Sequence, residues 1–317
     1  MNEKELYLKL CASENDLPLF HKNWWLDIAC PAWDVVMVTK GDQVTGVWPY
    51  PKEQKIGISI SRNPALTPYL GPHVFFPKDL KESKKDNYEH EVLRSLFQKV
   101  PNIKIWNAAC RPGLKQIGLF KEHEFNTGFR QTFIIDLCES EDNLLGAMHE
   151  DFRRSIRKAS TDITITNETE LIDLLYEYQV ATLVRNKESI NYTKEKMKEL
   201  FQKSLQMNSC ALWVARKEGK ILAMLWNLRD DVRAYYLVSS KNPEIDDNHV
   251  MPALVWHAMK HSKSLGKISF DFEGSMIPGV ERFFRNFGGR RELYPILQKT
   301  NSMTWKILKG ITSLTQK

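Results

Sequence analysis

The chain has 317 residues, 42% hydrophobic and 26% charged, enough for two domains or one large one with a substantial core, and no apolar run reaches the length of a membrane span. Its formal charge of +6 fits acidic partners such as phosphates, RNA or an anionic membrane surface, and demands none of them. The charged opening MNEKELYLKL has no cleavable apolar segment, and five scattered cysteines without a CxxC indicate neither a disulfide framework nor a zinc site, so the chain reads as cytoplasmic with buried thiols.

In chain order, an aromatic-rich start leads after Pro18 to a predicted helix over 19–30. VVMV, the polar turn KGDQ and VTGVWPY form a β-hairpin, and another strand runs over 56–60. ALTPYLGPHVF is an irregular loop that presents Tyr69. The charged run KDLKESKKDNYEHE enters a helix ending near Val100, with its charges on a solvated face. IKIWNAA at 103–109 is strand-like, a short helix runs from Arg111-Pro112-Gly113 through Leu119, and 125–137 is extended. A charged helix over 141–160 then replaces the strand pattern, which places a domain boundary near residue 138.

Helices over 170–186 and 194–206 come next. ALWVARKEGKILAMLWNLRDDVRAYYLVSS reads as three strands joined by EGK and RDD turns. The loop KNPEIDDNHV precedes the helix MPALVWHAMKHSKSLG. A strand over 268–273 alternates Ile268, Phe270 and Phe272 with Ser269, Asp271 and Glu273, so two carboxylates share a side, roughly 6.6 Å apart along the strand. In a dry site each makes the other harder to ionise, which suits one of them to holding or taking a proton near neutral pH.

Ser275 and Pro278 open a helix whose Val280, Phe283, Phe284 and Phe287 form one apolar stripe, stopped by Gly288-Gly289. Arg282 and Arg285 lie off that stripe, ready for an anionic substrate or for ion pairs with Glu281 and the strand carboxylates. A last strand covers 293–298, and the tail MTWKILKGITSLTQK alternates apolar and basic residues as a small amphipathic helix would.

VMVTKGDQVTGVW and WVARKEGKILAMLW echo one another: strand, basic turn, strand ending on Trp48 or Trp226, then a third strand, a helix and a strand. Duplication of an α/β unit accounts for this. The order of elements in 140–298 resembles the GNAT N-acyltransferase fold, and its copy in 20–137 resembles the FemAB-like branch, whose members carry two GNAT-like domains and include peptidoglycan interpeptide-bridge transferases that use aminoacyl-tRNA. FRRSIRKAS, GVWPYP, the YLGP loop and DFEGSMIPGVERFFRNFGG carry the likeness. It implies an α/β (α+β, mixed-sheet) class with tandem domains at 1–138 and 139–300 and a tail at 301–317. The implied activity is acyl or aminoacyl transfer to a primary amine, possible on a cell-envelope precursor, at a cytoplasmic site that includes the inner membrane surface. The implied donor is either aminoacyl-tRNA or acyl-CoA, with no metal and no DNA.

Two departures bear on the donor. CoA-using GNAT enzymes resemble one another in a glycine-rich phosphate loop, whereas SSKNPEIDDNHVMPAL stands here with no glycine and with acids that repel a pyrophosphate. The tRNA-using members carry a long helical hairpin, and 168–208 offers two helices of modest length. The family's closing F-K-x-G-F-G string places Phe284 where its cation stands, with Arg285 one residue on.

The candidate catalytic residues are therefore Asp271 or Glu273, with Arg285. Arg154, Arg157 and Lys158, clustered on one helix, are candidates for an anionic substrate, against the plainer role of a solvated helix end. Trp48, Tyr50 and Tyr69 are candidates for lining a groove, and Tyr235 and Tyr236 put one hydroxyl on each side of their strand, although strand aromatics are more often core. His257 and His261 are spaced i, i+4 with no third metal ligand nearby. Three readings are open: a FemAB-like acyltransferase, a CoA-dependent N-acetyltransferase with an atypical phosphate loop, and a noncatalytic module holding an envelope precursor at a membrane through the tail.

Overall fold

The computed structural model describes residues 2–13, 16–245, 247 and 249–301. It opens with α1 (Glu3–Ser13), a 3-10 turn at Leu19–His21, and α2 (Asn23–Ala29), so the helix predicted over 19–30 is broken at Lys22, whose ψ of 136° is extended. The hairpin pairs β1 (Trp33–Lys40) with β2 (Gln43–Pro51), and β3 (Glu53–Lys55) continues β2 after one residue to pair with β4 (Ile58–Arg62). After β5 (His73–Val74) come α3 (Glu82–Lys99), β6 (Ile105–Ala109), α4 (Ile117–Glu122) and β7 (Asn126–Asp136).

Two helices, α5 (Glu141–Ala147) and α6 (Glu150–Asp162), replace the single one predicted over 141–160. Met148 and His149 are extended between them, with ψ 152° and 143°, and each helix has its own side-chain cap, Ser140 Oγ for α5 and His149 Nδ1 for α6. Then come β8 (Thr164–Asn167), α7 (Ile172–Arg185), α8 (Lys194–Gln206), β9 (Cys210–Lys217), β10 (Lys220–Arg229) and β11 (Arg233–Lys241). The described chain is completed by α9 (Val250–Ser264), β12 (Ser269–Asp271), α10 (Pro278–Arg285) and β13 (Arg290–Thr300).

The chain divides into one unit of residues through Arg130 with those from Leu293, and another of Gln131–Glu292. In the amino-terminal unit β1, β2 and β5 form one sheet, and β3, β4, β6 and β13 lie side by side in another, with β4 parallel to β6. Its core gathers Trp48, Tyr50, Phe97, Trp106 and Phe125 around α3. In the carboxyl-terminal unit the order is β7, β12, β11, β10, β9, β8, with β11 parallel to β12. Its core joins Phe270 and Phe272 of the β12 region to Phe284 and Phe287 and to Leu254 of α9.

In both halves of the chain a hairpin and a further strand are followed by a helix, a strand parallel to that further strand, a helix and a strand, with β3 and β5 as additions in the first half, so the echo between the stretches around Trp48 and Trp226 extends to the order of elements. The tail expected to be amphipathic lies outside the described residues, beyond Asn301.

Candidate functional site

In the carboxyl-terminal unit, β11 and β12 run together for only three residue pairs, Arg233↔Ser269, Ala234↔Phe270 and Tyr235↔Asp271. β12 then ends while β11 continues to Lys241, so the two strands stop pairing beyond Tyr235. The same place carries an irregularity on the other edge of β11: the register with β10 steps from Trp226↔Val238 to Asn227↔Tyr236, leaving Leu237 as an extra residue. A bulge of this kind twists a strand and re-aims its backbone groups, and such bulges recur beside active sites. Asn227, fully buried, spans the defect by donating Nδ2 to the Tyr235 carbonyl at 2.8 Å.

Beyond Asp271 the chain turns sharply. Glu273 has φ 58° and Gly274 φ 82°, and a Cβ on Gly274 would sit 2.0 Å from the Gln131 carbonyl oxygen. Only glycine fits there, and Glu273, a non-glycine residue in the left-handed region, is held in a sparsely populated conformation. Asp271 supplies part of the restraint. Its Oδ1 accepts from the Glu273 N–H at 2.8 Å and from the Thr132 hydroxyl at 2.7 Å, and its Oδ2 accepts from Arg233 Nη1 at 2.8 Å. The predicted alternation puts both carboxylates on one side of a strand; Asp271 is buried, Glu273 is half-buried with its Oε1 covered, and the turn, not the pleat, sets Glu273.

The two acids differ in kind. Asp271 has no exposed surface and its charge is met by Arg233, a residue of the neighbouring strand that the sequence pattern does not single out. Burial, helped by the Asp271 carboxylate, holds the Glu273 carboxyl well above the usual carboxylate range. Glu273 therefore suits proton transfer and Asp271 suits positioning. Beside them Tyr236 packs on Phe272 and Phe284, with ring centroids 5.7 and 5.2 Å apart, and shares a hydrogen bond with the Ser239 hydroxyl. Burial pushes its phenol up to about 12, so it carries its proton at neutral pH. Tyr235 turns the other way and donates to Asp230 Oδ2 at 2.6 Å.

The other predicted residues lie elsewhere. Arg285 is exposed on α10, 4.0 Å from Glu281. Arg154, Arg157 and Lys158 are exposed on α6, and Arg154 is bonded to Asp151 of its own first turn. Trp48 and Tyr50 are buried in the amino-terminal core, each against Trp106, and Tyr69 is buried edge-on to Tyr294. Their large apolar rings are in packing, as strand aromatics commonly are. His257 and His261 both meet the edge of Trp213, at 4.6 and 4.7 Å.

The start of α9 is also informative. Asp247 Oδ1 accepts from the backbone N–H groups of His249 at 2.7 Å and Val250 at 3.0 Å. These first amides are the ones a helix would offer to a phosphate, and here the chain's own carboxylate takes them.

Comparison with known proteins agrees with the fold. Residues 147–285 match the family model described as acetyltransferase (GNAT) domain. Among solved structures, FemX is similar with a TM-score of 0.67 and 13% identity, over 93% of this chain and 96% of that one. The C-terminal domain of a putative lysylphosphatidylglycerol synthetase from Agrobacterium fabrum is similar with a TM-score of 0.58 and 12% identity, over 98% and 95%. A tandem GNAT protein from the clavulanic acid biosynthesis pathway is similar with a TM-score of 0.53 and 11% identity, over 95% and 96%. No curated protein matches the chain by sequence.

Proposed function

The chain has the tandem GNAT fold, with an acetyltransferase-family domain in its carboxyl-terminal unit, and from that premise we propose that it transfers an activated acyl or aminoacyl group to a primary amine at the parting of β11 and β12. The observation that carries the reading is Glu273: a buried carboxyl of raised proton affinity, fixed in a strained turn where two parallel strands stop pairing. In its ionised form Glu273 takes a proton from the substrate ammonium. The neutral amine attacks the acyl carbonyl carbon, and negative charge moves to the carbonyl oxygen. Backbone N–H groups around the Leu237 bulge supply stabilisation for that oxyanion, a role in which one well-placed donor is worth about 3 kcal/mol. As the intermediate collapses, the bond to the leaving oxygen or sulfur breaks, that atom receives a proton from Tyr236, and the attacking nitrogen releases its second proton to solvent. Product amide and a neutral leaving group result, and solvent restores both side chains.

Asp247 favours a donor other than acyl-CoA. A pyrophosphate at the start of α9 would have to displace a carboxylate already bonded to two amides and would meet its charge. An aminoacyl ester makes no such demand, which supports aminoacyl-tRNA as donor, and the resemblance of the sequence to the FemAB-like branch supports an amine of a cell-envelope precursor as acceptor. The test incubates the protein with a precursor peptide bearing a free lysine amine and either labelled aminoacyl-tRNA or acetyl-CoA. Transfer from the ester, absent with acetyl-CoA and lost in Glu273→Gln, is the expected result. Saturable turnover with acetyl-CoA in the native protein would overturn the choice of donor, and full activity of Glu273→Gln would overturn the mechanism.

A further inference from the structure

The segment joining Glu273 to α10 exposes aliphatic surface that the core does not account for. The apolar stripe of α10 runs in the sequence through Val280, Phe283, Phe284 and Phe287, yet only its later part is covered: Phe284 and Phe287 are buried and Val280 is 38% exposed. Immediately before it, Met276 is 60% exposed and Ile277 49%. These side chains are not on a loose strand of chain. Gly274 is locked against Gln131, Ser275 Oγ accepts from the Ile277 N–H at 3.1 Å, and Pro278 begins the helix. Three aliphatic groups are thus displayed on a fixed turn, where a water-facing protein surface usually places polar ones.

The exposed charge that α10 contributes to this tip is positive. Glu281, the acid of α10, is turned inward and bonded to Arg291 at 2.8 Å, so it offers little negative charge to solvent. The charges that α10 exposes are Arg282 and Arg285. Neighbouring α6 is tied to the same corner through the His149 N–H, which donates to the Asn286 carbonyl at 2.8 Å, and through Phe152 against Phe283 and Phe287. It adds the exposed Arg154 and Arg157, set against Asp151 and Glu150 at its start.

An aliphatic tip with arginines behind it is the arrangement by which a protein sits in the headgroup region of an anionic bilayer: the alkyl groups enter, and the guanidiniums stay level with the phosphates. We propose that the Met276–Val280 turn docks this protein on an anionic membrane surface. This contact is separate from the carboxyl-terminal tail, and its existence does not depend on the catalytic reading. It places the bilayer three residues from Glu273 in sequence, so a lipid-carried amine would arrive at the site from its membrane side.

The probe is the full-length protein with sucrose-loaded vesicles of phosphatidylglycerol and phosphatidylcholine, or of phosphatidylcholine alone, at low and physiological salt. Binding to the anionic vesicles only, weakening with salt, is expected. Loss of Arg282 and Arg285 together, as alanines, should weaken it about thirty-fold at low salt, taking about 1 kcal/mol for each charge near the surface. Met276→Asp with Ile277→Asp should abolish sedimentation. Both substitutions are at exposed positions, and unchanged circular dichroism and melting temperature verify that the fold is intact.

Any of three results would overturn the proposal: no binding to either vesicle, binding that survives Met276→Asp with Ile277→Asp, or binding lost only on removal of residues 303–317, which would move the contact to the tail. Concentration-dependent dimerisation that Met276→Asp with Ile277→Asp abolishes, without any vesicle binding, would assign the same turn to a second copy of the chain and overturn it equally.

Discussion

Replacing Glu273 by glutamine keeps the shape of the protonated carboxyl and removes the ionisation, and the consequence for stability has a definite sign. Burial raises the proton affinity of Glu273 in the folded chain above its value when unfolded. The folded state therefore binds more protons than the unfolded state at any pH between the two, and stability falls as pH rises through that interval. The contribution is fully present below about pH 4.3, the unfolded carboxyl's range, and is lost as pH rises through the folded value, at about 1.4 kcal/mol per pH unit.

Glu273→Gln has nothing to lose. Urea unfolding of both proteins at a series of pH values from 5 to 8 measures the difference, in which all other titrations cancel, and the variant should gain on the wild type as pH rises through the interval, at about 1.4 kcal/mol per pH unit. Parallel stability curves would show that Glu273 ionises as an ordinary exposed carboxyl does, and the reasoning from its burial would fail. Kinetics then divide two roles. If Glu273 is the base, kcat/KM of the wild type climbs over the pH range in which its stability declines, because one ionisation governs both. A stability slope with a flat rate profile would leave Glu273 a structural residue.

Arg233→Met removes the cation that meets a fully buried Asp271 and should destabilise the carboxyl-terminal unit by about 3–5 kcal/mol, read by urea unfolding at pH 7. A loss under about 1 kcal/mol would mean that the Thr132 and Glu273 donors satisfy Asp271 by themselves. Gly274→Ala meets both a positive φ and the Gln131 backbone, so the turn must open; turnover should vanish while a melting transition persists at lower temperature. Wild-type rates in that variant would detach the Glu273 turn from the chemistry.

Much of the architecture is legible in the sequence because its signals are local. Alternation and the short turns KGDQ, EGK and RDD mark the hairpins, and the strand-helix order of the second unit comes from hydrophobic period alone. The elements that escape such a reading lack a local signal or oppose one. β8 is a four-residue edge strand, Thr164–Asn167, with one half-buried residue, Ile165, and its existence depends on pairing with β9. The helix over 141–160 reads as continuous by period, and two competing caps divide it. β12 reads as six residues and is three, because the left-handed backbone at Glu273 ends it early.

The site is legible in its residue types and not in its partners. Asp271 and Glu273 stand out as acids on an apolar strand, but Arg233 becomes the partner of Asp271 only through a parallel register set across 38 residues. The arginines conspicuous in the sequence, on α6 and α10, are conspicuous because they are exposed. Asp247 could have been found: an acid two and three residues ahead of a helix's first amides is a capping signal, and its conflict with a phosphate seat is a direct consequence.

Duplicated folds start with duplicated clefts, and the two units show how one of them can be closed. In the amino-terminal unit β4 and β6 pair from Ile60↔Ile105 to Arg62↔Asn107, and the end of β6 is then occupied by the unit's own loop. Asn63 imitates a strand with its side chain: Oδ1 accepts from the Ala109 N–H at 3.0 Å and Nδ2 donates to the Ala109 carbonyl at 3.2 Å. The Leu70 N–H donates to the same carbonyl at 2.8 Å, and Gly71 lies so close that a Cβ would be 2.6 Å from Cys110 Sγ. Every backbone group that a substrate could pair with at Ala109 is thus already bonded within the chain. In the carboxyl-terminal unit the corresponding strand stops at Asp271, and the residues after it make a turn that presents a carboxyl instead of a loop that seals the gap. The same topology serves packing in one copy and, on the proposed function, chemistry in the other, and the difference comes down to whether the chain beside the paired strands folds back over their ends.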